Sequence, residues 1–247
     1  MQVSQVTSDP IKVYAISDLH LSLASEKPMD VFGDHWKDHH HLIETNWRQL
    51  ITENDLVLLP GDLSWAMTLD EAAEDMNWLG ELPGRKIITK GNHDYWWSSI
   101  SQVRKKLPPG IIPLQHTAFD AGTAVITGTR GWITPLSDEY DEEKDEKIYR
   151  RELHRLGLAL ESAAKLRTEG KPLIVMLHYP PIVSGRGTEF SRMLSDGGAD
   201  VCIYGHIHMS PGSWPEGLDI EIEGVKYLMV SADYLNFKPL ELRIVNQ

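Results

Sequence analysis

Short apolar runs rich in β-branched residues recur along the chain at 11–17, 56–60, 86–90, 124–128, 173–177 and 201–204, and again at 226–230 and 240–245. Each has the length of a strand, and most are continuously apolar rather than alternating, the pattern of strands covered on both faces. Helix-like segments lie between them. In 41–52, Leu42, Ile43, Trp47, Leu50 and Ile51 recur at helical spacing; 69–79 follows Thr68 as an N-cap, with Asp70 and Glu71 in the first turn; 98–107 and 145–166 complete the set. Strands alternating with helices predict an α/β fold with parallel pairing through crossover connections. The last two strands have short connections and are expected at antiparallel or edge positions. No repeat, linker or low-complexity stretch interrupts the pattern, so one domain over 1–247 is expected.

Composition narrows the partners. Apolar residues make up 41% and charged residues 24% of the 247, as a soluble globular chain requires, and the net charge is −12 with His neutral. Binding a long nucleic acid relies on cations that displace counterions from its phosphates. None is expected as a partner here, whereas small phosphorylated molecules remain open. No stretch approaches the ~20 apolar residues that cross a bilayer. Residues 1–10 lack the basic-then-apolar order of a signal peptide. Cys202 is the one thiol, on an apolar run, and reads as a small buried hydrophobe. A cytoplasmic protein without membrane insertion is expected; oligomeric state is left open.

The chemistry follows the strands. After 11–17 comes Asp18-Leu19-His20; after 56–60, Gly61-Asp62; after 86–90, Gly91-Asn92-His93-Asp94; after 173–177, His178; after 201–204, Gly205-His206-Ile207-His208. Each motif alone is weak, but five strands releasing Asp, Asn or His at their carboxyl ends is not, because that edge of an α/β sheet is where ligands bind. Carboxylate, amide and imidazole donors suit Mn, Fe, Zn or Co, and the absence of Cys excludes a thiolate zinc site. Seven such side chains are about right for two divalent ions sharing a bridging carboxylate and an activated water.

In this order the motifs resemble the calcineurin-like metallophosphoesterase superfamily. The resemblance implies a four-layer αββα sandwich, two mixed sheets face to face with helices outside. It implies that Asp18, His20 and His208 hold one ion, that Asn92, His178 and His206 hold a second, and that Asp62 bridges them, with Mn the favoured metal. His93 would contact phosphate and protonate the leaving oxygen, so His93, Asp62 and Asn92 are the catalytic candidates. Many members continue the second motif as Gly-Asp-x-x-Asp, the later Asp supporting that histidine. Here Trp65 stands in that place. What orients His93 is therefore left open: Asp94 is one candidate acceptor, against which stands the usual divergence of adjacent side chains.

The implied activity is hydrolysis of a small phosphodiester or phosphomonoester. A diester is favoured because no arginine pair for a dianion is apparent. The alternatives are pyrophosphate cleavage in a nucleotide or nucleotide-lipid, and a metal-binding scaffold that has lost catalysis. Trp65, Trp96, Trp97 and Trp132, with Tyr95 and Tyr179, are expected to pack loops beneath the site, at least one facing substrate. Arg130 reads as a structural ion pair, Arg186 as a remote candidate for phosphate. His39-His40-His41 reads as a helix start capped by Asp38 or its neighbours, not a metal tract, and 28–38 as a rim of the pocket. The acidic run 138–143 reads as a solvated lead into a helix, with Glu143 and Lys147 at supporting spacing.

Overall fold

Successive residues of the central strands point to opposite faces, and both faces are buried. On the first strand, Val13 and Ala15 join one apolar cluster while Tyr14 and Ile16 join another. The computed structural model describes residues 11–24 and 27–243. Residues 1–10, read for a signal peptide, and 244–245, the end of the last apolar run, lie outside the described residues. Along the chain run β1 Val13–Ala15, α1 His39–Leu50, β2 Leu56–Pro60, α2 Ala72–Glu81, β3 Arg85–Thr89, α3 Ile100–Lys106, β4 Ile111–Pro113, β5 Ala118–Asp120, β6 Val125–Thr129 and α4 Glu142–Ala164. Then follow β7 Leu173–Leu177, β8 Ile182–Val183, β9 Arg186–Gly187, α5 Glu189–Asp196, β10 Val201–Tyr204, β11 Ile220–Ile222, β12 Val225–Met229 and β13 Leu240–Glu241.

One sheet has the order β13-β1-β2-β3-β4, the other β11-β12-β10-β7-β6-β5, and β8-β9 form a small ribbon. Pairing is parallel except for β13 on β1, β11 on β12, β5 on β6 and the ribbon. Three apolar clusters divide four layers. Leu58 and Ile87 of the first sheet meet Ile174, Met176 and Ile203 of the second between the sheets. The outer face of the first sheet packs Val57 and Leu59 on Ile43, Trp47, Met76 and Val103 of α1 to α3. The outer face of the second packs Val175 and Cys202 on Leu153, Leu156 and Phe190 of α4 and α5. The chain is therefore an α/β sandwich of two mixed sheets flanked by helices. Each fully buried Leu or Ile in these layers contributes about 1.5–3 kcal/mol over exposure.

Several local expectations are corrected. Residues 226–230 are not an edge segment: β12 lies inside its sheet, antiparallel to β11 but parallel to β10. The segment 205–224 is long enough to carry the chain back across the sheet without a helix. Leu240–Glu241 does form an antiparallel edge on β1. Asp38 precedes α1 but lies in left-handed backbone at φ 52°, and its side chain makes no capping bond. Thr68 does act at the start of α2, where its Oγ1 accepts from Glu71 N and the Glu71 carboxylate accepts from Thr68 N. In the acidic run, Asp141 caps α4 by accepting from Glu143 N, and the supporting pairs are Lys144–Asp141 and Arg150–Glu146. Among the described residues no helix is long and apolar enough to cross a membrane.

Candidate metal centre

Both sheets open their parallel strand ends onto one edge, and main-chain bonds lace the loops there together. Asp18 N donates to Gly61 O at 3.0 Å, His20 N to Asp62 O at 3.0 Å and Gly205 N to His178 O at 3.1 Å. The lacing joins the sheets as well, since Ser17 N donates to Val230 O and Ala232 N to Ser17 O. It holds four candidate ligands in a costly backbone conformation. Asp18 (φ 56°), His20 (45°), Asp62 (52°) and His206 (76°) all lie in the left-handed region. Non-glycine residues there cost on the order of 1–3 kcal/mol each and concentrate at functional sites.

Two glycines let the loops approach so closely. A Cβ on Gly91 would stand 2.0 Å from Asp62 Oδ1 and 2.3 Å from Asp62 N; one on Gly205 would stand 2.2 Å from Asp18 Oδ2. Neither gap can be relieved by a flexible side-chain tip alone, because the neighbour is backbone or a pinned carboxylate. Gly91→Ala is expected to displace the Asp62 loop and to lower metal affinity by at least about tenfold. Calorimetric titration with Mn would check this; unchanged affinity would show that the close approach is not needed.

Side chains from distant parts of the chain then converge. Ligand atoms of Asp18, His20 and His208 lie within 4.8 Å of one another, and so do those of Asp18, Asp62 and His178. Asp62 Oδ2 stands 4.0 Å from His20 Nε2 and 3.4 Å from His178 Nε2, so it touches both groups. Asn92 Oδ1 is 2.5 Å from His178 Nε2. The His206 ring lies beside His178, centroids 5.1 Å apart, and its backbone N–H donates to Asp18. Asp18 also accepts from the hydroxyls of Ser17 and Ser231, the latter at 3.0 Å.

The donor set can be tested for fit to cations by counting lone pairs. His178 Nδ1 donates to Pro60 O at 3.1 Å and His208 Nδ1 to Asp233 Oδ1 at 3.1 Å. Those bonds fix the tautomers and turn both Nε2 atoms inward. His178 Nε2 faces Asn92 and Asp62, while His208 Nε2 faces His20 Nε2 at 3.2 Å and Asp18 Oδ1 at 3.6 Å. Acceptors pointing at acceptors need positive charge between them. Protons can supply it: burial opposes protonation, yet the Asp62 charge raises His178 to about 9, and Asp18 and Asp233 raise His208 to about 10. Divalent cations supply it better, because each satisfies several lone pairs at once. Burial opposes ionisation of Asp18 too, but contact with His208 and the charge of His178 hold its carboxyl well below the usual range. Burial pushes His20 and His206 down to about 3, leaving neutral imidazoles. The oxygen and nitrogen donors present thus fit divalent metal ions.

His93 stands apart from both groups, and its backbone N–H donates to Asp62 Oδ1 at 2.8 Å. Asp94, the one candidate for orienting its ring, does not do so. The buried Asp94 carboxylate instead accepts from the N–H groups of Asp62, Leu63 and Gly91 and from the Trp96 indole. It fastens the second motif to the third, and burial followed by the Asp62 charge pushes it up to about 6. His93 Nδ1 is buried without a partner. Its ring is placed by Trp65, 4.5 Å away between centroids, which also stacks on His20 at 4.9 Å. Trp65 thus faces the centre while Trp96 and Trp97 are core. Arg130 is an ion-pair residue, 3.5 Å from the buried Glu152 and 4.4 Å over the Trp132 ring. Arg186 lies exposed on the β8-β9 ribbon. Of the His run, His39 is buried between the carbonyls of Trp36 and Leu19.

Asp233 and Ser231 were not apparent in sequence, where they sit in an ordinary loop after β12. A carboxylate behind a ligand histidine fixes its orientation and raises its basicity. Asp233→Asn is accordingly expected to weaken metal binding by about 10–100-fold, read by competition with a chelating dye. An unchanged affinity would make the Asp233–His208 bond incidental.

Comparison with known proteins bears on this arrangement. A family model described as calcineurin-like phosphoesterase matches residues 11–210. No curated protein matches. Among solved structures, the phosphopantetheinyl hydrolase PptH of Mycobacterium tuberculosis is 15% identical with a TM-score of 0.55, the match covering 96% of this chain and 97% of that one. A protein of unknown function from Aquifex aeolicus is 16% identical with a TM-score of 0.53, over 94% and 96% of the two chains. A structure from Thermus thermophilus is 16% identical with a TM-score of 0.53, over 89% and 88%. Likeness at this identity is likeness of fold.

Proposed function

From the premise that this chain belongs to the calcineurin-like phosphoesterase family, we propose that it hydrolyses a small phosphate ester, a diester in preference to a monoester, with two divalent cations, Mn favoured. The observation that carries the reading is the convergence of the Asp18, His20 and His208 ligand atoms with those of Asp62 and His178, lone pairs inward. Asp18, His20 and His208 would hold one cation and Asn92, His178 and His206 the other, with Asp62 shared by both. Bound there, such cations act as Lewis acids on a phosphoryl oxygen and bring the pKa of water to about 7.

The remaining work falls to the chain. His178 and His208 have their tautomers set by Pro60 O and Asp233, so both present Nε2 inward without rearrangement. His208 is the open side of the centre, its side chain 32% exposed where those of Asp18 and His178 are fully buried. Substrate enters there. His93, whose ring packs beside those of Trp65 and His20, is the proton donor to the departing oxygen in this reading. The diester preference follows from charge. A monoester dianion calls for an additional cation such as a forked guanidinium, and Arg130 is committed to Glu152.

The test is hydrolysis by Mn-reconstituted protein of bis-nitrophenyl phosphate and nitrophenyl phosphate. The expected result is turnover of both, the diester faster. Turnover of neither, with metal bound, favours the scaffold; a faster monoester overturns the diester preference.

A further inference from the structure

Two cavities open onto the candidate centre and share His208 and Met209 as their common wall. The smaller, ≈ 280 Å³, includes His20 and His93 and is walled by Trp36, Trp65 and Phe32. The larger, ≈ 620 Å³, starts at His206 and is lined by Tyr179, Ile182, Val183, Ile207 and Leu218. A third space of ≈ 710 Å³, around Lys12, Lys171 and Arg243, touches none of the candidate ligands. Of the two that do, only the larger has the volume usual for a whole small-molecule substituent.

Its charge is as telling as its size. None of the described residues lining either cavity is Lys or Arg. The carboxylates in the larger one are Glu139 and Glu216, both exposed. Beyond the histidines at its inner end, an anionic group entering it would be desolvated beside Glu139 and Glu216 with no Lys or Arg on the described wall, an unfavourable burial. An apolar chain would exchange water for Ile182, Ile207 and Leu218, a favourable one. We propose that the 620 Å³ cavity beside His206 holds the non-reacting arm of the substrate and selects an arm that is uncharged or cationic and largely apolar, excluding a second phosphate or a carboxylate.

The proposal deepens the phosphoesterase reading and rests on it. It predicts poor use of nucleoside polyphosphates and of sugar bisphosphates. It also makes the two glutamates specificity-determining groups, since they repel an anionic arm and attract an ammonium.

The test uses Mn-loaded full-length protein and three nitrophenyl phosphodiesters that differ only in the second arm: methyl, hexyl and carboxypentyl. With the leaving group constant, kcat/KM reports the arm. The hexyl ester is expected to exceed the methyl ester on the order of thirtyfold, half in free energy of what full burial of five methylenes gives. The carboxypentyl ester should fall at least about tenfold below the hexyl, and the double variant Glu139→Lys, Glu216→Lys should close that gap. Calorimetric binding of hexylphosphonate and carboxypentylphosphonate gives a second reading that needs no turnover, with the same order expected. Equal binding of the two phosphonates, or a hexyl ester no better than methyl, overturns the proposal. If no ester is cleaved while hexylphosphonate binds more tightly, the phosphoesterase reading fails and the cavity's selectivity stands.

Discussion

Asp62→Asn should leave the protein folded and reduce turnover on the order of 10³-fold, with weaker retention of metal. The reasons are local. Asp62 Oδ1 accepts from His93 N at 2.8 Å, a bond an amide oxygen can keep, so the loop geometry survives. Oδ2 is the atom that matters, 3.4 Å from His178 Nε2 and 4.0 Å from His20 Nε2. Burial opposes its ionisation, yet the charge of His178 holds the carboxyl down at about 2, so it is anionic throughout the working range. A neutral amide there cannot neutralise two cations. The readouts are steady-state turnover and metal content after gel filtration. Near-normal values of both would remove Asp62 from the bridging position.

The second large effect is expected at His93. His93→Ala should lower turnover by about 10²–10⁴-fold, the range of general acid catalysis, while metal content is unchanged. The separation of the two readouts is the point. His93 belongs to neither group of converging ligand atoms, its backbone bond to Asp62 does not involve the ring, and burial lowers its pKa, which makes the protonated ring, when it forms, the stronger acid. Loss of metal in this variant would make the residue a ligand instead. A substrate with a nitrophenolate leaving group needs little protonation, so the deficit should shrink there and widen with an alkoxide leaving group.

The strand ends were readable because metal chemistry restricts residue types and because a parallel sheet presents its carboxyl edge repeatedly. Asp18, Asp62, His178 and His208 are each preceded by a short apolar run whose register the structure preserves. Strands apolar on both faces announced cover on each side, whereas the stacking of two sheets into four layers was implied by the resemblance of the motifs. What escaped was set by contacts remote in sequence. Ser231 reaches Asp18 across 213 positions and Asp233 reaches His208 across 25, and nothing in a serine or aspartate near a strand end announces such a partner. Asp94 follows the usual divergence of neighbouring side chains: it does not orient His93, and its carboxylate turns inward to five N–H donors of the surrounding loops, partners that sequence adjacency does not reveal. The short strands β4, β5 and β11, of three residues each, are too brief to carry a period. Helix α5 carries a capping box between Thr188 and Ser191, a signal that lay in the sequence with serine in place of the usual acidic partner.

The proposed hydrolysis requires two cations held by side chains that span residues 18 to 208. Anomalous diffraction from crystals soaked in Mn tests it most directly. Two peaks about 3.5–4 Å apart, with the Asp62 carboxylate between them, Asp18, His20 and His208 around one and Asn92, His178 and His206 around the other, are the predicted result. A single peak away from Asp62, or none at saturating Mn, would contradict it.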